Sequence, residues 1–181
     1  MWDVLQRLHC EGQLAFLERD TGRTLCGFVG AFSNDLALIN VVTSECRFDG
    51  GVVIRTDDIE FVRWGTRGLR TRSGAVLESP TAPEMLTMAD LSSWLTVIDR
   101  LAVDEPVLTL HRENDSEWHV ATNITATTER VEAEELAEDG TVDGTIVFKL
   151  SDLTRIDFGG GYERSYARLS RAARQRIADT K

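Results

Sequence analysis

The sequence predicts a mainly β protein with flanking α-helices, organised as two small antiparallel β-barrels in tandem, each preceded by a helix, with one more helix at the C-terminus. Two observations carry this. A seventeen-residue segment, 49–65, recurs without a gap at an offset of 94, and short apolar runs separated by turn signals recur at even spacing in both halves.

Asp49, Gly50, Val53, Asp58 and Gly65 return as Asp143, Gly144, Val147, Asp152 and Gly159. Apolar positions match by type in Val52/Ile146, Ile54/Phe148, Ile59/Leu153, Val62/Ile156 and Trp64/Phe158. Each copy reads as hairpin, strand, corner, strand. Asp49-Gly50 and Asp143-Gly144 supply the positive φ angles of a hairpin turn, and the β-branched run after each is a strand. A polar corner follows at 56–58 or 150–152, where the short carboxylates of Asp58 and Asp152 suit backbone N–H groups. These six residues, Asp49, Gly50, Asp58, Asp143, Gly144 and Asp152, are the signature of the repeat.

Taken in order, 2–9 reads as a short helix with Val4, Leu5 and Leu8 on one face. Strands follow at 14–17, 25–32 and 36–42, then the repeat segment. Residues 65–83 hold Gly65, Gly68, Gly74, Pro80 and Pro83, a linker composition, so the sequence divides into a first barrel module at 1–72, a linker at 73–86 and a second module at 87–181. The second module opens on a helix with Leu91, Trp94, Leu95, Ile98 and Leu101 at helical spacing and Thr87 or Asp90 as cap. Its strands are expected at 108–111, with Leu108-Thr109-Leu110-His111 facing Leu14-Ala15-Phe16-Leu17 at the same offset of 94, then at 118–126 and 130–136. A last helix spans about 162–177, with Tyr162, Tyr166, Leu169, Ala173 and Ile177 on one stripe and Arg164, Arg168, Arg171 and Arg174 off it.

The segments Val52-Val53-Ile54-Arg55-Thr56-Asp57-Asp58-Ile59-Glu60-Phe61-Val62 and Ile146-Val147-Phe148-Lys149-Leu150-Ser151-Asp152-Leu153-Thr154-Arg155-Ile156 resemble the late strands of Sm-like proteins, which are SH3-type small β-barrels. The resemblance implies helix-plus-five-strand barrels that assemble into rings and bind single-stranded RNA. It makes Arg55 and Lys149 candidate RNA contacts, joined by the basic Arg67 and Arg70. The glycine that follows the basic residue in Sm-like proteins is replaced here by Thr56 and Leu150. An earlier Asp-x-x-apolar-Asn segment is matched only loosely by 35–40.

Composition bounds the rest. With 42% hydrophobic and 28% charged residues the chain is globular, and no run approaches a membrane span or a signal peptide, so a cytoplasmic protein with no membrane partner is expected. A formal charge of -10 argues against general nucleic-acid binding, which draws on counterion release by lysine and arginine. The charge is uneven. Residues 88–161 hold 5 basic and 16 acidic side chains, and 162–181 hold 6 and 2.

Catalytic, metal and cofactor constellations are not apparent. Cys10, Cys26 and Cys46 show no paired spacing, and His9, His111 and His119 are scattered. The acidic run 129–139 reads as a solvated face, and Gly159-Gly160-Gly161 as a strand-to-helix joint rather than a phosphate loop. The expectation is a non-enzymatic interaction or scaffold protein without cofactors, binding a protein partner or itself through barrel edges. A divergent Sm-like RNA binder and a ligand or enzymatic pocket between the barrels are the alternatives.

Overall fold

A computed structural model describes residues 1–77 and 86–179. The chain divides into two compact units, Met1–Ser93 and Trp94–Lys181. The first holds helix α1 (Trp2–Glu11), strands β1 (Leu14–Arg19), β2 (Thr24–Phe32), β3 (Leu36–Val42), β4 (Phe48–Arg55) and β5 (Ile59–Trp64), and helix α2 (Arg67–Leu77). The second holds α3 (Trp94–Asp104), β6 (Leu108–Arg112), β7 (Glu117–Ala126), β8 (Arg130–Leu136), β9 (Val142–Lys149), β10 (Arg155–Phe158) and α4 (Gly161–Asp179). Strand order is β5-β1-β2-β3-β4 in one unit and β10-β6-β7-β8-β9 in the other, with the strands antiparallel throughout. No helix among the described residues is long and apolar enough to cross a membrane.

The duplication extends to individual backbone hydrogen bonds. Ser33 N donates to Leu36 O in one unit and Thr127 N to Arg130 O in the other; Thr56 N donates to Asp35 O and Leu150 N to Glu129 O. The corner is closed by Ile59 N on Thr56 O and by Leu153 N on Leu150 O. The expected capping by the aspartates is corrected. Asp58 accepts from Arg19 Nη2 at 3.0 Å, and Asp152 from Ser151 Oγ at 3.2 Å.

Asp49-Gly50 and Asp143-Gly144 do not turn the chain. They lie inside β4 and β9, where one extra residue bulges each strand: Val42 pairs Phe48 while Asn40 pairs Gly51, and Leu136 pairs Val142 while Glu135 pairs Gly144. The hairpin ends sit earlier, closed by Cys46 N on Thr43 O and Gly140 N on Ala137 O. Both of those residues have positive φ, 60° and 82°.

The first strands break the 94 offset. Ala15 pairs Gly27 and Trp64, whereas Leu108 pairs Ala121 and Phe158, so Ala15 and Leu17 stand where Leu108 and Leu110 stand, 93 residues on. All four are fully buried. The additional residue is taken up in the 3-10 turn at Glu113–Asp115 that joins β6 to β7.

The helices depart from expectation at two places. Residues 67–77, read as linker composition, form α2, because Leu69 and Val76 fall on one side and bury against Leu14 and Val42, while Thr66 Oγ1 accepts from Leu69 N. The linker assigned to 73–86 thus begins inside a helix, and its remainder, with Pro80 and Pro83, lies largely outside the described residues. The helix expected from residue 87 is split. Thr87 N and Oγ1 both bond Asp90 Oδ2 at 2.7 Å, a 3-10 turn at Asp90–Ser92 packs on β3, Ser93 is extended, and α3 starts at Trp94.

The first unit buries both faces of its strands. Leu17, Ile39, Ile54 and Leu8 meet in one cluster, and Leu14, Val42, Leu69 and Val76 meet under α2 with Phe16, Cys26, Phe28, Cys46 and Phe48. In the second unit, Val107, Val120 and Leu136 pack beneath Tyr166 and Ala167 of α4.

Candidate functional site

Two features distinguish the units, and the first is an edge. Among the described residues β9 pairs only with β8, and it is exposed along most of its length. Val147 is 57% exposed, whereas Val53, the same residue at the same place in β4, is 0% exposed. In the first unit, among the described residues, β5 pairs only with β1, and its Phe61 is 54% exposed. Two edges with bare apolar side chains are therefore available for strand addition.

The second feature is the face covered by the last helix of each unit. In the first unit that face is apolar, with Phe16 beneath the Arg63 guanidinium at 5.3 Å and Arg72 Nη2 donating to Val42 O and Thr43 O. Burial pushes the Cys26 thiol up, with the Arg72 charge opposing and Cys46 adding to the rise. In the second unit Val107, Val120 and Leu136 keep part of this face apolar, but polar side chains enter beside them. Thr109 replaces Phe16, and its Oγ1 donates to Glu163 Oε1 at 2.6 Å; Glu163 Oε2 also accepts from Gly160 N, holding the start of α4.

Beside this pair, Asp157 Oδ2 lies 3.2 Å from His111 Nε2, and Arg155 clamps the same carboxylate through Nε at 2.5 Å and Nη2 at 2.6 Å. Burial raises the Asp157 carboxyl, but the hydrogen bonds from His111 and Arg155 outweigh it and hold the group below the ordinary aspartate value. His111 Nδ1 is buried and has no hydrogen-bond partner among the described residues. Thr154 Oγ1 accepts from Glu113 N, and Arg155 Nη1 lies 3.9 Å from Glu113 Oε1. The exposed Trp118 and Tyr162 meet edge to face at 6.0 Å on this side of the unit.

The sequence singled out none of this cluster as a site. Its signal was nonetheless present: His111 ends an apolar run, and Asp157 interrupts the apolar pattern between Ile156 and Phe158. His119, the other scattered histidine of this unit, bonds Glu135 Oε1 at 2.7 Å through Nδ1. No group of metal-ligating side chains forms among the described residues.

Within the first unit, the residues proposed for RNA lie toward opposite ends of β5. Arg55 ends β4 next to the corner that opens β5, whereas Arg67 and Arg70 follow the far end of β5, and six residues of strand span roughly 17 Å. Arg70 Nη1 donates to Gly65 O at 2.5 Å. Lys149 ends β9 in the other unit and is exposed. The repeat signature, by contrast, is structural: bulges at Asp49-Gly50 and Asp143-Gly144, corners at Asp58 and Asp152.

No family model matches the chain, and no curated protein matches it. Among solved structures it is similar to YcgR from Escherichia coli, crystallised in complex with c-di-GMP, at 11% identity over 99% of this chain and 93% of that chain. The TM-score is 0.21, a likeness too loose to carry an argument about fold or ligand.

Proposed function

We propose that the protein is a non-enzymatic assembly module, two Sm/SH3-like barrels in tandem, that self-associates head to tail by pairing β5 of one copy with β9 of the next. The observation that carries this is Val147, bare on β9 where its repeat counterpart Val53 is wholly buried on β4. A sequence that folds one copy of a strand into a covered position and leaves the other uncovered has an open acceptor at the second. Backbone N–H and C=O groups on the open side of β9 supply the pairing, and Phe61 with Val147 supplies apolar contact.

A single strand pair is a small interface, so association should be concentration-dependent rather than obligate. Mass measurement by light scattering across a dilution series is the test. Wild type is expected to grow in mean mass with concentration, and Val147→Lys to remain at the mass of one chain. A wild type of constant monomer mass at the highest attainable concentration would reject the reading.

A further inference from the structure

Each unit carries a cleft between the chain entering its first strand and the helix that follows its fifth. In the first unit Gly12, Gln13 and Leu14 face Leu69, Arg70, Ser73 and Gly74 across about 420 Å³. In the second, Glu105, Pro106 and Val107 face Glu163, Arg164, Ala167, Arg168 and Arg171 across about 510 Å³. With the offset of 93 before the first strand and 94 after the fifth, the two clefts are the same place in the fold. Arg70 and Arg164 correspond, whereas Arg168 stands where the first unit has Gly74, and Arg171 where it has Leu77. The cleft is built by the architecture; the second and third arginines, Arg168 and Arg171, belong to the second unit alone.

From this we infer that the cleft beside α4 binds an anion bearing two linked phosphate groups. Arg164, Arg168 and Arg171 follow one flank of α4 at i, i+4 and i+7, all exposed, so their Cα atoms rise by about 6 Å and then about 4.5 Å along the axis. Guanidinium groups on successive turns can each fork onto one phosphoryl group, which a monophosphate cannot exploit. The flank lies near the N-terminal end of a nineteen-residue helix, whose dipole adds positive potential at Gly161. Its volume is that of a small-molecule site.

Two carboxylates also line the cleft. Glu163 is committed to Thr109 and Gly160. Glu105 is the one that repels an entering anion. Burial pushes its carboxyl up, with the Arg164 charge opposing and the Glu163 and Asp104 charges adding to the rise, so it takes a proton more readily than an ordinary glutamate. Anion binding should therefore take up a proton at Glu105 and strengthen as pH falls toward the glutamate range.

Calorimetric titration of the full chain with inorganic pyrophosphate, ADP and AMP tests the assignment. One saturable site is expected for pyrophosphate and ADP, weaker at moderate than at low salt, with AMP about tenfold weaker than ADP. Arg168→Glu or Arg171→Glu should cost about tenfold or more, and Glu105→Gln should tighten binding a few-fold. Arg70→Glu, in the other cleft, should change nothing. ADP tighter than pyrophosphate identifies a nucleotide ligand; equal affinities identify the bare diphosphate. The inference is overturned by absence of saturable binding, by AMP matching ADP, or by binding that ignores Arg168→Glu and Arg171→Glu. The substituted side chains are exposed, so circular dichroism melting should match wild type; if Arg168→Glu melts early, Arg168→Gln replaces it with the same expected direction.

Discussion

Asp157 shows how one residue can set the character of a packed face. Its carboxylate neutralises Arg155 and orients His111, and without it a largely buried guanidinium loses its nearest counter-charge and keeps only Glu113 at 3.9 Å. Asp157→Asn is expected to destabilise the second unit by about 3 kcal/mol, the lower end of the range for breaking a buried pair because the site is not fully dry. Urea unfolding followed by Trp94 and Trp118 fluorescence measures this. The pH dependence has a definite sign. Since the folded carboxyl lies below its unfolded value of about 3.9, its stabilisation is complete above that pH and is lost as pH falls through the folded value. Wild type should therefore lose stability on acidification below about pH 4, and Asp157→Asn should show a shallower loss over the same interval. A mutant that reproduces the wild-type acid limb would show that the carboxylate is not the group being titrated.

The β8–β9 hairpin and α4 constrain each other through Gly140. A Cβ built there would come within 2.4 Å of Leu169 C and 2.5 Å of Ser170 N, and the residue also holds φ of 82°. Gly140→Ala should displace α4 from the sheet and cost about 2 kcal/mol or more, read as loss of helical ellipticity at a lowered melting temperature. Its counterpart Cys46 tolerates a side chain at φ of 60° because it packs among Phe48, Val42 and Leu69 instead of against a helix backbone. Such distinctions set what the sequence could reveal. Segments 49–65 and 143–159 were legible as a repeat because corners, bulges and core positions are dictated by the backbone, although Asp-Gly was mistaken for a turn when it marks a bulge. Helix α2 was obscured by Gly68 and Gly74, which weaken helix propensity without preventing burial of Leu69 and Val76. The cluster at His111 and Asp157 stayed hidden because it assembles from β6 and β10, some 46 residues apart, in a register no local pattern encodes.

At the scale of the molecule, the proposed pairing of β5 with β9 would be heterologous, so each copy would offer one donor edge and one acceptor edge and growth would continue until rotation closes a ring. Phe61→Lys blocks the donor and Val147→Lys the acceptor, yet each variant keeps the edge that the other lacks. Either variant alone should be monomeric, and an equimolar mixture should give a mass of two chains and no more. Larger species in the mixture would mean that surfaces other than these strands hold copies together. The shifted spacing of β1 and β6 bears on any attempt to treat the halves as exchangeable parts. Transplanting 14–19 onto 108–113 at the spacing seen elsewhere in the repeat would seat Phe16 and Glu18 in the positions of Leu110 and Arg112, and Leu17 in that of His111, turning the strand inside out. A hybrid cut at that spacing would take Ala15 and Leu17 out of the buried positions of Leu108 and Leu110 and should fail to fold. One cut a residue earlier keeps Ala15 and Leu17 inward, so a viable library of half-exchanged chains must place its crossover in the loop before β7, where the added residue was absorbed.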